Sequence, residues 1–194
     1  GDPVRTMFIN LERSAESIAR RVACCNGALG LDPERSLLTL NRRGTGLAAL
    51  DGVIKNAVEK YNIGFIVVDS ISRTGVGDLN SNEAGNKGID ALNSWGISWL
   101  ALGHVPRDST EHVYGSTMFD AGADIMLRLT GSRENNKVGV NMEVTKENDI
   151  GPQESMMLEY QFDQRGLLHV SHGDIQNYPE LLETRRKTFD EEIS

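Results

Sequence analysis

One pattern in the sequence restricts the fold more than any other: short apolar runs alternate with segments that have helical spacing. The clearest run covers residues 65–68 and ends in Asp69 and Ser70, and a second covers residues 97–102. Continuous apolar runs of this length are typical of strands in a parallel sheet that is buried on both faces. A helical pattern at residues 83–94 lies between them, so the pair indicates a βαβ unit. The fold class predicted is α/β, with a mostly parallel sheet flanked by helices.

The later part of the chain has a different pattern. Before residue 65 the alternation places strands at residues 4–11 and 37–40, and helices after Ser14 and at residues 47–61. After Gly122, strand patterns at residues 124–130, 137–146 and 155–162 are joined by polar turns, which predicts antiparallel strands at the C-terminal edge of the sheet. We expect a core domain over residues 1–175 and a charged helix or tail over residues 176–194.

The composition excludes several classes of protein. The 194 residues carry a net charge of -8 and a pI near 5.0, which argues against a surface that coats nucleic acid or anionic membrane. No apolar run approaches the roughly 20 residues of a membrane helix, and no signal-peptide pattern precedes the first strand. Cys24 and Cys25 are adjacent and cannot form an ordinary disulfide, so they indicate a reducing compartment. We expect a cytoplasmic protein with no membrane partner.

Polar side chains follow three of the predicted strands, at the point where each strand ends. They are Glu12, Asp69 with Ser70, and His104. In open α/β sheets, ligands bind at the carboxyl ends of parallel strands, so these side chains mark a candidate site. An aspartate followed by a serine suits Mg²⁺ held through water beside a nucleotide phosphate. The alternatives are that Asp69 caps the following turn, that Glu12 is a surface acid at a helix start, and that His104 is a satisfied strand-end histidine.

Several of these segments resemble the motifs of one family in order and spacing. Residues 66–70 resemble the Walker B strand of the RecA-like ATPases. Residues 8–12 resemble the preceding strand of that family, and residues 100–107 resemble its next strand, which ends in a polar sensor. Residues 114–129 resemble the segment after the sensor in hexameric helicases of the RepA type, and residues 144–152 are similar to the late strand and turn of the RepA and DnaB-like branch.

The resemblance implies a three-layer RecA-like core that uses ATP and Mg²⁺. It implies that Glu12 is the general base, that Asp69 is the Mg²⁺ partner with Ser70 beside the nucleotide, and that His104 senses the γ-phosphate. Lys146 would reach across a subunit interface towards the nucleotide of a neighbour, although the arginine that DnaB-like proteins have two residues later is missing. Arg128 is the alternative for that role, and an ordinary exposed lysine is the alternative for Lys146.

The same resemblance implies a homo-oligomer, with a hexameric ring as the expected form, that acts on single-stranded DNA. Two loops, at residues 73–82 and 106–113, would face the centre of the ring, where Arg73 and Arg107 would contact DNA. The loops also contain acidic residues, so their positive charge is low for binding to a phosphate backbone. The alternative is that both are ordinary surface loops.

One motif of the family is missing from the sequence. No segment has the form G-x-x-x-x-G-K-[ST], whose amides and lysine hold nucleotide phosphates. By the order of the family motifs, this P-loop and its strand belong before Val4, so the expectation is that an upstream segment or another chain supplies them. Without that strand, the strand at residues 97–102 is expected to expose an unpaired apolar edge. We also expect these residues alone not to hydrolyse ATP.

Three hypotheses about function remain open from the sequence. The first is part of a replicative-type DNA helicase. The second is a non-catalytic RecA-like interaction subunit, and the third is a recombination or clock-type ATPase. A structural zinc site is not predicted, because His169 and His172 are three residues apart and would point to opposite faces if they lay on a strand.

Overall fold

The computed structural model describes residues 3–73, 78, 80–105 and 117–182. The chain divides into two compact units, one formed by Gly1–Arg21 and Ser36–Ala123 and the other by Val22–Arg35 and Asp124–Ser194. Each unit contains one four-stranded sheet. The α/β fold predicted from the sequence is confirmed, with a parallel sheet flanked by helices and a set of antiparallel strands.

The first unit is built on a parallel sheet. Its strands are β1 (Thr6–Asn10), β2 (Leu38–Asn41), β3 (Phe65–Asp69) and β4 (Ser98–Leu102), in the order β2-β1-β3-β4. Its helices are α1 (Ala15–Ala28, which continues into the second unit), α2 (Asp51–Tyr61), α3 (Asn82–Asn93) and α4 (Met118–Gly122). Short 3₁₀ helices at Leu47–Leu50 and Ile71–Arg73 precede α2 and follow β3, respectively.

The strand register aligns the carboxyl ends of three strands. Asn10, the last residue of β1, pairs with Asn41 of β2 on one side and with Asp69 of β3 on the other. Asp69 in turn pairs with Leu102, the last residue of β4. The loops that leave β1, β3 and β4 therefore begin at the same edge of the sheet, as the parallel topology predicts.

The core of this unit lies on one face of the parallel sheet. Ile66 and Val68 of β3 are completely buried and pack in one cluster with Ile54 of α2 and Leu92 of α3. The alternate residues of β3, including Val67, are only half-buried. The sequence pattern predicts burial on both faces, whereas the structure buries one face completely and the other in part. A continuous apolar run therefore overstates how evenly the two faces are covered.

β4 is the end strand of the parallel sheet. Among the described residues it pairs only with β3, and its other edge has no strand beside it. Leu100 and Leu102 on this strand are each 38% exposed, which is unusual for leucines in a parallel sheet. The expected exposed apolar edge at residues 97–102 is therefore present in the described structure.

The second unit contains four consecutive antiparallel strands. They are β5 (Ile125–Glu134), β6 (Lys137–Glu147), β7 (Met156–Asp163) and β8 (Gly166–His172), paired in chain order. The first three match predicted strands, and β8 adds a strand that the sequence pattern did not set apart. Within the described ranges these four strands form a sheet of their own.

The segment after β8 packs against this antiparallel sheet. A 3₁₀ helix at Ile175–Asn177 leads to Tyr178 and Leu181, which are buried in one cluster with Met157 of β7. The beginning of the predicted C-terminal segment, residues 176–194, is thus packed, and the residues after 182 lie outside the described structure. None of the helices in the described part of the chain has the length and apolar character needed to cross a membrane.

Candidate functional site at the carboxyl edge of the parallel sheet

The structure brings three of the predicted site residues to one place. Glu12 lies in the turn after β1, Ser70 follows β3 directly, and His104 lies two residues after β4. The Ser70 hydroxyl donates a hydrogen bond of 2.5 Å to Oε1 of Glu12, although 58 residues separate the two in the sequence. Nε2 of His104 lies 3.9 Å from the same oxygen. These distances place the three side chains beside one another at the carboxyl edge of the parallel sheet.

A buried asparagine shapes the turn that presents Glu12. The side-chain amide of Asn10 donates to the carbonyl of Arg13 at 2.8 Å and to Oδ1 of Asn41 at 2.9 Å. The carbonyl oxygen of the same side chain accepts from the backbone N–H of Arg13 at 2.9 Å. The backbone N–H of Leu11 donates to the carbonyl of Asp69 at 2.9 Å, which ties the turn to β3. Residues 10–13 are therefore held at both ends, and Glu12 lies between the two attachments.

Hydroxyl groups lie closer to the Glu12 carboxylate than charged side chains do. Besides the bond from Ser70, the Ser72 hydroxyl donates to Oε1 at 3.2 Å, and the two serine oxygens lie 2.6 Å apart. Nε of Arg73 is 4.0 Å from Oε1, at the limit of an ion pair. The side chains of Arg73 and His104 are 64% and 70% exposed, so water weakens the electrostatic interaction of both groups with Glu12.

These contacts lower the pKa of Glu12 below its ordinary value. The hydrogen bond from Ser70 is the largest cause, and it is opposed by partial burial of the carboxylate. The bond from Ser72 and the nearby charges of His104 and Arg73 lower the pKa further. Hydrogen bonds to a carboxylate stabilise its ionised form. Glu12 is therefore an anion at neutral pH, able to accept a hydrogen bond from water.

Asp69 is in the opposite electrostatic situation. Its pKa is raised, first by burial and then by the negative charge of Glu12, while Arg13, His104 and Arg21 partly offset the effect. Two neighbouring carboxylates repel each other, and a divalent cation between or beside them relieves that repulsion. A divalent cation beside Asp69 would therefore be electrostatically favourable.

The donor set at this edge fits Mg²⁺ of the kind that accompanies a nucleotide. Magnesium prefers oxygen ligands, retains several waters, and is commonly held by one or two carboxylates together with phosphate oxygens. Within the described ranges no three His, Cys, Asp or Glu side chains converge as a complete protein cage. Asp69 is therefore the residue that could hold Mg²⁺ here, through water.

Some predicted residues lie in other surroundings. Arg73, predicted to contact DNA, lies 4.0 Å from Glu12 with 64% of its side chain exposed. Lys146 lies on β6 in the second unit, opposite Met126. Arg128 on β5 donates to Glu143 at 2.9 Å. Arg107, the whole loop at residues 106–113, and residues 74–77 and 79 of the other predicted loop lie outside the described residues.

Sequence reasoning missed two residues that shape the site. Asn10 is a fully buried polar residue at the end of a strand, and Ser72 is the second hydroxyl beside Glu12. A signal for Asn10 was present, because an asparagine that ends an apolar strand is a common turn residue. No sequence signal identified Ser72, since its contact with Glu12 joins residues that are 60 positions apart.

Two comparisons with known proteins agree with this architecture. A family model described as an AAA domain matches residues 1–110, more than half of the chain. The crystal structure of the KaiC-like protein PH0186 from the hyperthermophilic archaeon Pyrococcus horikoshii OT3 is similar, with a TM-score of 0.59 and 16% identity, covering 87% of this chain and 76% of that one. At this identity the likeness shows the fold alone, which is RecA-like. None of the curated proteins compared with the chain matches it significantly.

Proposed function

This chain belongs to the AAA domain family, and from that premise we propose that it is part of a RecA-like ATPase that couples ATP hydrolysis to action on single-stranded DNA. A replicative-type helicase is the form that the sequence motifs favour. The observation that carries the proposal is the convergence of Glu12, Ser70 and His104 beside Asp69, at the carboxyl edge of the parallel sheet. This is the edge at which open α/β sheets bind their ligands.

In this proposal Glu12 orients and polarises the attacking water. A carboxylate can do so only when it is ionised and within about one hydrogen-bond length of the water. The lowered pKa of Glu12 provides the ionised form. All its contacts among the described residues are made by one oxygen, Oε1, so the other oxygen remains for the water.

Asp69 and His104 have complementary roles. Asp69 would hold Mg²⁺ through water, and the ion would neutralise charge on the phosphates of ATP when both are bound. The exposed imidazole of His104, 3.9 Å from Glu12, can donate a hydrogen bond to a phosphate oxygen beside that carboxylate. Release of that phosphate would therefore remove a hydrogen bond of His104 directly beside Glu12.

The phosphate-binding loop must come from residues other than these. We propose that an upstream segment or a separate chain supplies it, together with a strand that pairs with β4. The exposed leucines and the unpaired edge of β4 support this proposal. A strand added there would cover an edge that is otherwise prone to aggregation.

The assembly proposed is a homo-oligomeric ring, with six subunits as the expected number. Lys146 would act on the nucleotide of a neighbouring subunit, and Arg128, which donates to Glu143, is the alternative for that role. Arg73 and Arg107 would contact single-stranded DNA. The position of Arg73 beside Glu12 would then place a DNA contact next to the carboxylate that polarises water.

The proposal is tested with Glu12→Gln in an assembly that includes the P-loop segment. We expect ATP hydrolysis to be abolished while nucleotide binding is retained, because the amide keeps the shape of the side chain and loses its charge. The matched control is Glu16→Gln, in the first turn of α1. Unchanged turnover in Glu12→Gln would remove Glu12 from the reaction.

Two other functions remain as candidates. The KaiC-like neighbour, although it shows the fold alone, agrees with a recombination or clock-type ATPase. ATP hydrolysis without stimulation by single-stranded DNA and without duplex unwinding would favour that candidate over a helicase. The missing P-loop motif agrees with a non-catalytic interaction subunit, which would be favoured if no assembly containing this chain depended on Glu12 for hydrolysis.

A further inference from the structure

Two serine hydroxyls form a chain of hydrogen bonds that ends on Glu12. Oγ of Ser70 is 2.5 Å from Oε1 of Glu12 and 2.6 Å from Oγ of Ser72. Oγ of Ser72 is also 3.2 Å from the carboxylate oxygen, which is longer than the other two contacts. The arrangement lies next to Asp69 but uses neither of its carboxylate oxygens in these bonds.

The number of hydroxyl protons determines the direction of this chain. Each serine has one proton to donate, and Ser70 uses its proton for Glu12. The 2.6 Å contact between the two serines then requires Ser72 to donate to Ser70, and the longer 3.2 Å contact with Oε1 of Glu12 is the weaker branch of the same bond. Hydrogen bonds arranged in series polarise one another, so Ser72 strengthens the bond that Ser70 makes.

The backbone holds both hydroxyls in place. Ser70 is 1% exposed and follows β3 directly, while Ser72 lies on the 3₁₀ helix Ile71–Arg73. The backbone N–H of Arg73 donates to the carbonyl of Ser70 at 3.1 Å, which closes the turn. Ile71, between the two serines, is buried in the core of the unit. This packed turn therefore holds both hydroxyls beside Glu12.

We propose that Ser70 and Ser72 are positioning residues that hold the Glu12 carboxylate in one orientation, Ser70 by direct contact and Ser72 through Ser70. The proposal rests on the proposed function for the reaction that this orientation serves. It gives Ser70 a role at the Glu12 carboxylate and adds Ser72 to the site. It also predicts that loss of the Ser70 hydroxyl affects Glu12 more than loss of the Ser72 hydroxyl, because Ser72 acts through Ser70.

The first measurement is the ¹³C chemical shift of the Glu12 carboxyl carbon, recorded at neutral pH in the protein labelled on glutamate. Ser70→Ala is expected to shift this resonance more than Ser72→Ala. Adding Ser72→Ala to Ser70→Ala is expected to change it little further, because the two hydroxyls act in series. Ser72→Thr retains the hydroxyl on a half-buried side chain and is expected to keep the original shift. Ser98→Ala, at the opposite end of the parallel sheet, is the matched control.

The second measurement is steady-state ATP hydrolysis by the assembly with its P-loop segment. Ser70→Ala is expected to lower kcat by about tenfold with little change in KM, because a lost hydrogen bond to a charged group is of that size. Ser72→Ala is expected to have a smaller effect in the same direction, and Ser72→Thr is expected to restore kcat.

The outcomes separate this proposal from the proposed function. An unmoved Glu12 resonance in both alanine variants, or a change in KM at constant kcat, would overturn the positioning role. If the resonance shifts as expected but Glu12→Gln still hydrolyses ATP, the positioning of Glu12 is supported and its catalytic role is contradicted. If Ser70→Ala fails to fold, the comparison of Ser72→Ala with Ser72→Thr decides the question.

Discussion

Glu12 in the first unit and Glu159 in the second both have a lowered pKa, yet the causes differ. Glu159 uses both carboxylate oxygens: Oε1 accepts from Lys137 at 2.8 Å and Oε2 accepts from the hydroxyl of Tyr178 at 2.8 Å. Within the described ranges the contacts of Glu12 go to one oxygen, bonded to serines, with His104 at 3.9 Å and Arg73 at 4.0 Å. A carboxylate with both oxygens occupied stabilises structure, whereas one with an oxygen to spare can take part in chemistry.

The surroundings of the two carboxylates reinforce this difference. Tyr178, which donates to Glu159, is 2% exposed and packs against Met157, so the contact joins the segment after β8 to the antiparallel sheet. The groups around Glu12 belong to loops at the carboxyl ends of strands, where ligands bind. A lowered pKa alone therefore does not identify a functional carboxylate, and the use of its two oxygens is more informative.

The largest expected effect is a loss of ATP hydrolysis in Glu12→Gln that Glu159→Gln does not share. Glu12→Gln is expected to reduce ATP hydrolysis by at least about a hundredfold in an assembly that contains the P-loop segment, the lower end for loss of a general base. Glu159→Gln is expected to leave turnover nearly unchanged and to lower stability instead. Steady-state hydrolysis and urea denaturation of both variants test the contrast. Equal losses of turnover would show that the two carboxylates are not functionally distinct.

Gly139→Ala is expected to destabilise the cluster around Glu159. A Cβ at this position would lie 2.6 Å from ring atoms of Tyr178 and from Cε of Met157, so the buried ring must move. Overpacking of this kind costs about 1–3 kcal/mol in the free energy of unfolding. Gly131→Ala is the matched control, because its Cβ would meet only a backbone oxygen at an ordinary 3.7 Å. Equal stability of the two variants by urea denaturation would contradict the packing described.

The Glu159 cluster should also respond to alkaline pH. Burial, and then the hydrogen bond to Glu159, raise the pKa of Tyr178 from its ordinary value near 10 to about 12. The folded state therefore keeps its proton where the unfolded state has lost it. This contribution to stability is present below pH 10 and is lost as the pH rises towards 12. Urea denaturation across that window should show the loss, and Tyr178→Phe should diminish it.

Tyr178→Phe at neutral pH removes one hydrogen bond and keeps the packed ring. The free energy of unfolding is expected to fall by about 1 kcal/mol, because Glu159 retains Lys137 and can be partly hydrated. Turnover of the assembly should be unaffected. A loss of hydrolysis without a loss of stability would connect this cluster to the site and remove the distinction between the units.

The smallest expected effect concerns Arg73. Its exposed guanidinium lies 4.0 Å from Glu12, so Arg73→Ala should change the free energy of unfolding by no more than about 0.5 kcal/mol. Stimulation of hydrolysis by single-stranded DNA should decrease in the same variant if Arg73 contacts DNA. A large loss of stability would show that the guanidinium supports Glu12 structurally, much as Lys137 supports Glu159.

Much of the fold and the position of the site could be predicted from sequence. The apolar run that ends in Asp69 determined a buried strand, and its alternation with helical patterns indicated the parallel sheet. Parallel strands place their carboxyl ends at one edge, so the polar residues that follow β1, β3 and β4 were expected together. These predictions depend on periodicity and chain order, which a sequence states directly.

Other features could not be predicted because they depend on distances between remote residues. The helical and strand patterns could not reveal that Ser72 would lie beside Glu12, that Arg73 would lie next to that carboxylate, or that Tyr178 would be buried against β7. The strand β8 was not set apart either, since its short apolar pattern is weak without its partner β7.

The order and periodicity of the residues are enough to predict which strands form and which strand ends carry acids, a serine and a histidine. Only the tertiary structure decided which groups contact each carboxylate, and therefore why Glu12 and Asp69 have pKa values shifted in opposite directions. The physical reason is the range of the interactions. Hydrophobic periodicity is repeated along many residues, whereas a hydrogen bond depends on a few tenths of an ångström between groups brought together by folding.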